Sequence, residues 1–327
     1  MNENRVEGML VGLAVGDALG APVEFGYSSG KIRDKWGEQY ADHRIPAGYY
    51  TDDTAMALCL ADSLLHVGGY NSYDVMSRYL KWATMGYRES TGNPAEDIGS
   101  QTSNAIEAFA DSPAIAKEEI RSSSAGNGGI MRLAPALIAT AEQDITTAMR
   151  LAKISSRETH FSYEADAGAE LFGAMLWKAL RATDKQEVVD VEAYSTDESY
   201  DGILSEIRES SDKDSEEVLR DLGGYVVDAL RIAVWGFLNH ENFRDGMVAV
   251  IRLGGDTDTN AAIYGQLAGA YYGYDDIPEE WLHGLYLHDE IKLVASELFD
   301  KQPYMITATR FEEDGDGLFR ELYGQIE

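Results

Sequence analysis

One stretch of the sequence constrains the fold more than any other: residues 253–260, which read LGGDTDTN. They place a Gly-Gly turn, the carboxylates Asp256 and Asp258, and two threonines directly before residues 261–270, a small and apolar segment with helical character. Aspartate and threonine are ordinary helix caps, because they satisfy the free N–H groups of the first turn. A buried helix entrance should not carry surplus negative charge without a partner, so a bound cation is the natural one.

A second acidic cluster has the same form. Thr51, Asp52, Asp53 and Thr54 precede residues 55–65, which are mostly apolar. Two such helix entrances far apart in the chain favour one shared metal site over two independent caps. Hard cations such as Mg²⁺ take the carboxylate and hydroxyl oxygens that both clusters offer.

A calcium-binding EF-hand is the rival interpretation of the stretch that begins at Asp256. The sixth position of such a loop requires glycine and the twelfth requires glutamate. This sequence has Ala261 and Leu267 there. The EF-hand interpretation therefore fails.

Composition excludes several classes of function. The chain has 327 residues, 44% of them apolar, a net charge of -30 and a pI of about 4.4, so binding to a nucleic-acid backbone is not expected. Its single cysteine, Cys59, lies in an apolar run, which predicts a buried thiol, no intramolecular disulfide and a cytoplasmic location. The N-terminus lacks a signal region, and no apolar run is expected to span a membrane.

The apolar pattern predicts an all-α protein, because strand signals are nearly absent. We expect a compact single domain over residues 1–327, folded as an orthogonal multi-helix bundle. Residues 184–217 are acidic and Ser-rich, so they are expected to form a solvated flank, which one interpretation makes mobile. Glycines at every fourth position of the first helix lie on one face, where another backbone can approach closely. Helices are predicted at about 6–19, 54–67, 72–86, 100–110, near 130, up to 155, and at 162–182, 201–209, 224–238, 242–252, 258–272 and 289–299.

Three further features have both a structural and a functional interpretation. Glu24 lies in an apolar turn next to Pro22, where a salt bridge is the ordinary explanation. Residues 123–132 form a Gly-rich loop that could hold phosphate on its N–H groups or be a plain turn. His160 is a lone histidine at a helix junction, for which a structural role is the default.

Taken together, several motifs resemble those of the ADP-ribosylglycohydrolase family, and they occur in family order between about residues 5 and 282. Each motif is weak alone, but their combination is highly specific. They are residues 12–24, 51–54, 126–128, Met131 with Arg132, Thr159 with His160, residues 224–227 and residues 254–259.

The resemblance implies an all-α fold with two Mg²⁺ or Mn²⁺ ions. It places Thr51, Asp52 and Asp53 opposite Asp256, Asp258 and Thr259 as metal ligands. Glu24 corresponds to the family's catalytic glutamate, carried on a mobile loop, and Asp52 and Asp258 complete the catalytic set. Substrate contacts are implied for Asp97, Gly126, Asn127, Gly128, His160 and Tyr225, with the glycine loop around the diphosphate.

The implied function is hydrolysis of the N-glycosidic bond between ADP-ribose and a modified side chain, on a protein or a small molecule. Arginine is the expected linkage, because residues 51–58 and 97–99 look closest to the bacterial arginine-directed branch. The alternatives are another linkage, such as serine or O-acetyl-ADP-ribose, or a non-catalytic ADP-ribose-binding or crystallin-like protein. A third alternative is an immunity protein that also blocks a toxin physically.

Overall fold

A computed structural model of the protein describes residues 2–26, 37–113, 124–194, 198–302 and 304–309. It is 68% helical, which confirms the predicted all-α class. The helices are α1 (Glu3–Gly20), α2 (Asp52–Val67), α3 (Ser72–Met85), α4 (Ser100–Asp111), α5 (Ala134–Ala139), α6 (Ile145–Arg157), α7 (Tyr163–Ala179), α8 (Lys185–Val189), α9 (Glu198–Glu209), α10 (Glu216–Leu219), α11 (Val226–Asn239), α12 (Phe243–Arg252), α13 (Thr257–Tyr272), α14 (Glu279–Gly284) and α15 (His288–Asp300).

The centre of the fold is the antiparallel pair of α1 and α13, both almost entirely buried. Their backbones touch at the glycines predicted to form one face. A Cβ atom on Gly12 would lie 2.4 Å from the carbonyl oxygen of Gly265, and one on Gly16 would lie 2.1 Å from that of Ala261. Only glycine permits this approach. It fixes the end of α1 beside the start of α13, and thus the residues after α1 beside the first acidic cluster.

Asp17 attaches the start of α2 to this pair. Its buried carboxylate accepts four hydrogen bonds, from the N–H and hydroxyl of Thr51 (2.9 and 2.7 Å) and those of Thr54 (3.0 and 2.6 Å). Two buried donors from each threonine leave α2 little freedom to rotate or slide. Three chain segments far apart in sequence therefore converge at one end of the α1–α13 pair.

One expectation about local structure is wrong. The helix expected near residue 130 begins only at Ala134, where Pro135 suits a first turn, and Asn127–Gly129 form a 3-10 turn instead. A short parallel pair of strands, β1 (Gly69–Asn71) and β2 (Met305–Ala308), joins two parts of the chain. Both strands are too short to show a periodic pattern.

The expectation that no apolar run approaches the length of a membrane span is also wrong, by length and composition. The segment Glu3–Gly26 is long and apolar enough, although 94% of its most apolar stretch is buried inside the protein. That burial is the packing of α1 against its neighbours. The proposed single domain over residues 1–327 and the mobile flank at 184–217 stay predictions. Residues 27–36, 195–197 and 310–327 lie outside the described part of the chain.

Candidate active site

Three carboxylates meet where α1 ends and α13 begins. Oxygen atoms of Glu24, Asp256 and Asp258 lie within 4.8 Å of one another, and all three residues are buried. Backbone contact holds the two segments together, since the N–H of Phe25 donates to the carbonyl of Gly255 at 2.8 Å. The short turn Ala21–Gly26 thus delivers Glu24 to the acidic end of α13.

Asp256 stands at the N-cap of α13, directly after a turn that needs two glycines. Gly254 and Gly255 have φ angles of +80° and +76°, a region that other residues rarely adopt. One carboxylate oxygen of Asp256 accepts from the side-chain amide of Asn127 at 2.8 Å and from the N–H of Gly224 at 3.0 Å. These donors orient the carboxylate and link it to the Gly-rich loop.

Asp258 and Thr259 lie in the first turn of the same helix, two and three residues after Asp256. An oxygen of Asp258 accepts from the N–H of Thr259 at 2.9 Å. Burial, followed by the charges of Glu24 and Asp256, raises the pKa of Asp258 well above its usual range. A carboxyl group held in this way favours either a proton or a cation as its neighbour.

Asp52 and Asp53 open α2 on the opposite side of the cluster. Asp53 is fully buried, and neither of its carboxylate oxygens has a hydrogen-bond partner in the described residues. Burial raises the pKa of both groups well above the usual range, and nearby carboxylates raise it further. Asp53 is an orphaned buried carboxylate, which normally costs a protein stability unless something binds it.

Glu24 is held by a cation from the chain itself. The guanidinium of Arg44 lies 3.0 Å from Glu24 and 2.5 Å from Asp97, bridging the two carboxylates. Burial, then the charges of Asp97 and Asp256, raise the pKa of Glu24 to about 7, whereas Arg44 lowers it. Glu24 therefore forms a salt bridge and also has a pKa suited to acid–base chemistry, so the two interpretations of this residue are compatible.

A cavity of about 360 Å³ opens over this cluster, within the range of small-molecule sites. Its walls join the acidic helix ends to the glycine loop and to one histidine. The predicted site residues among its lining are Glu24, Asp52, Asp97, Gly126, Asn127, Gly128, His160, Asp256, Asp258 and Thr259.

Three of the predicted residues are placed differently. Thr51 lines the adjoining cavity of about 330 Å³, on the other side of Asp52 and Asp97. Asp53 lies behind the wall, and Tyr225 takes part through its backbone, which pairs with Gly126. The assignment of Tyr225 as a substrate contact stays a prediction, since its side chain is not part of the cavity lining.

Comparisons with known proteins place this geometry in context. The family model for ADP-ribosylglycohydrolase matches residues 2–305 of the chain. The chain belongs to the ADP-ribosylglycohydrolase family. The predicted enzyme class, a hydrolase of glycosidic bonds, is thereby confirmed.

The names of two related family members give different targets. An ADP-ribosylarginine hydrolase, Tri1, from Pseudomonas putida is 34% identical over 92% of this chain and 79% of its own length. An ADP-ribosyl-[dinitrogen reductase] glycohydrolase from Rhodospirillum rubrum is 28% identical over 86% of this chain and 90% of its own. A solved structure of an ADP-ribosylglycohydrolase-related protein complex is 35% identical, with a TM-score of 0.72, and covers 91% of this chain and 98% of that one.

The residues present fit a metal centre of the kind expected for this family. Glu24, Asp256 and Asp258 offer oxygens close enough to share an ion. Both oxygens of Asp53 lack a hydrogen-bond partner among the described residues, so they can accept a donor or bind a cation. All of these are hard oxygen ligands, the type that Mg²⁺ and Mn²⁺ prefer.

Sequence reasoning missed two residues that shape the site. Asp17, which fixes the start of α2, lies inside the motif of residues 12–24 but has no role predicted for it. A charged residue in the middle of a buried, glycine-spaced helix was the available signal. Arg44 gave no local signal, because its partners Glu24 and Asp97 lie far from it in sequence.

Proposed function

We propose that this protein hydrolyses the N-glycosidic bond between ADP-ribose and an arginine side chain, in a reaction that requires divalent cations. One observation carries the proposal: Glu24, Asp256 and Asp258 converge at the floor of a cavity whose wall is a glycine loop. Carboxylates for metal and proton chemistry thus line the same cavity as a glycine loop, in which the N–H groups of Gly126 and Asn127 donate to Gln101 and Gly224 and fix the shape of the loop.

The substrate would be oriented by both walls of the cavity. The loop of Gly126, Asn127 and Gly128 would hold the diphosphate, placing the ribose over the carboxylates. Asp53, Asp256 and Asp258, with Asp52 and the hydroxyls of Thr51 and Thr259, would hold Mg²⁺ or Mn²⁺, two ions in our proposal. When bound, such ions supply Lewis-acid orientation of the ribose hydroxyls and of a water molecule.

Glu24 is the candidate for proton transfer. Water adds to the anomeric carbon as the bond from that carbon to the guanidine nitrogen breaks, through an oxocarbenium-like transition state. Glu24 accepts the proton that the water loses and passes it to the departing guanidine nitrogen, so Glu24 ends in the protonation state in which it began. A pKa of about 7 suits a group that must both take and release a proton near neutral pH.

The arginine linkage is supported by the way Arg44 is held. Its guanidinium spans Glu24 and Asp97, two acidic groups that both line the cavity. The same pair of carboxylates could bind the guanidine group of a substrate arginine once Arg44 moves aside. The name of the relative from Pseudomonas putida supports the same linkage.

A panel of defined substrates tests the proposal. Peptides carrying ADP-ribose on arginine or serine, and O-acetyl-ADP-ribose, are incubated with the protein, with Mg²⁺ and with excess chelator. We expect release of ADP-ribose from the arginine peptide only with metal. Cleavage of the serine peptide with the arginine peptide untouched would overturn the linkage, and full turnover in chelator would overturn the metal requirement.

A further inference from the structure

A buried arginine lies behind the glycine loop and the histidine of the cavity. Arg132 is fully buried and donates hydrogen bonds in three directions: to the phenolic oxygen of Tyr79, to the carbonyl of Gly128 and to the hydroxyl of Thr159. The hydroxyl oxygen of Thr159 is in turn 2.8 Å from Nδ1 of His160. One guanidinium therefore connects the loop to the histidine.

The direction of the hydrogen bonds from Arg132 through Thr159 to His160 follows from which groups can donate. Arginine only donates, so the oxygen of Thr159 is an acceptor from Arg132. The described contacts of this hydroxyl are Arg132 and His160, so its hydrogen has an acceptor only if Nδ1 of His160 accepts it. A buried hydroxyl without an acceptor would cost stability.

A histidine that accepts at Nδ1 carries its proton on Nε2 when it is neutral. Burial, together with the charge of Arg132, lowers the pKa of His160 to about 3, which keeps the ring neutral. Nε2 has no hydrogen-bond partner among the described residues, yet His160 is only 4% exposed and lines the cavity. An N–H donor on a largely buried ring is thus left for a ligand.

The glycine loop lies directly against the same edge of the ring. A Cβ atom on Gly126 would be 3.0 Å from Nε2 of His160, and one on Gly128 would be 2.9 Å from it. A ligand cradled by the loop would therefore lie within reach of Nε2. Nothing larger than glycine fits at either position without displacing the ring.

We propose that Arg132 and Thr159 are positioning residues that fix His160 as the neutral Nε2–H tautomer, aimed at an acceptor oxygen of the bound ADP-ribose. The ligand in this inference rests on the proposed function, whereas the tautomer does not. Because the donor stays neutral, it recognises an oxygen by hydrogen bonding rather than by charge. The guanidinium acts through Thr159 and the loop and never touches the ligand.

The experiment measures the tautomer and the affinity separately. Long-range ¹H–¹⁵N spectra of protein labelled on histidine report the tautomer of His160 without ligand, with the signal assigned by His160→Gln. Calorimetry measures binding of ADP-ribose to wild type, Thr159→Val and Thr159→Ser. Thr140→Val, which replaces another buried threonine far from the cavity, controls for the general cost of the substitution.

We expect the Nε2–H tautomer in wild type and Thr159→Ser, and a mixed or reversed tautomer in Thr159→Val. ADP-ribose affinity should fall about fivefold in Thr159→Val, the scale of one hydrogen bond, and stay unchanged in the other two variants. An Nδ1–H tautomer in wild type would overturn the inference, as would unchanged affinity in Thr159→Val. If wild type has the expected tautomer but binds no ADP-ribose, the ligand assignment fails together with the proposed function.

Discussion

Replacing Asp53 by asparagine should stabilise the metal-free protein while abolishing the effect of metal. Both oxygens of this carboxylate are buried without a partner, and the nearest charges that act on it, those of Asp17, Asp52 and Asp256, are also negative. An amide of the same shape removes the repulsion without leaving a hole. The residue is therefore expected to lower stability until a cation binds it.

The magnitude follows from replacing carboxylate repulsion by an amide that can donate to a neighbouring carboxylate, because a hydrogen bond to a charged group contributes about 1.5–3 kcal/mol. For a chain of this size that corresponds to a rise in Tm of about 2–5 °C. The sign depends on pH. The pKa of Asp53 is raised in the folded state, so the folded protein binds the proton more tightly than the unfolded chain does. The protonated Asp53 therefore contributes its full stability to wild type below pH ~4, and this contribution is lost as pH rises through the folded pKa. The stability difference between Asp53→Asn and wild type should accordingly vanish at acid pH and grow toward pH ~8.

Thermal unfolding at pH 5 and pH 8, with chelator and with Mg²⁺, measures these effects. Wild type should gain about 2.7 kcal/mol at a metal concentration a hundred times Kd, and Asp53→Asn should gain almost nothing. Asp166→Asn is a matched control, because that carboxylate is buried but paired with Arg157 at 2.7 Å, and its loss should destabilise. A metal-free Asp53→Asn that is less stable than wild type at pH 8 would refute the reasoning.

Two further changes test other parts of the structure. Gly16→Ala would place a Cβ atom 2.1 Å from a backbone carbonyl of α13, so Tm should fall by several degrees. Gly202→Ala is the control, because its Cβ atom would meet nothing within 4 Å, and its Tm should be unchanged or higher. Equal Tm values for the two variants would contradict the helix contact. Arg44→Ala should raise the pKa of Glu24 further, because Arg44 lowers it, and so move the acid limb of the kcat/KM profile to higher pH. A limb that stays in place, or moves to lower pH, would show that Arg44 does not act on Glu24.

The parts of the fold and site that could be predicted are those with a local signal. Helices follow from apolar periodicity, and the acidic residues at 51–54 and 256–259 stand out because charge there interrupts burial. The glycine face of α1 was expected to meet another backbone, although its partner could not be named from spacing alone. Local pattern specifies a face, and only the folded chain specifies what covers it.

The contacts that were missed join residues remote in sequence. Asp17 binds Thr51 and Thr54, and Arg44 binds Asp97. None of these pairs follows from a period or a motif. The pairing of β1 with β2 has no local signal either, since two very short segments pair across most of the chain. The cytoplasmic location and the single domain stay predictions.

In the proposed reaction, Glu24 performs proton transfer at a metal centre that Asp256 helps to hold. Single-turnover hydrolysis of an ADP-ribosylarginine peptide by Glu24→Gln, beside calorimetry with Mg²⁺ and ADP-ribose, tests it most directly. We predict that Glu24→Gln binds ADP-ribose within about tenfold of wild type while turnover falls by roughly 10²–10⁴. Asp256→Ala, as the comparison, should lose metal, ligand and turnover together. Normal turnover by Glu24→Gln would contradict the account and leave Glu24 as no more than the salt-bridge partner of Arg44.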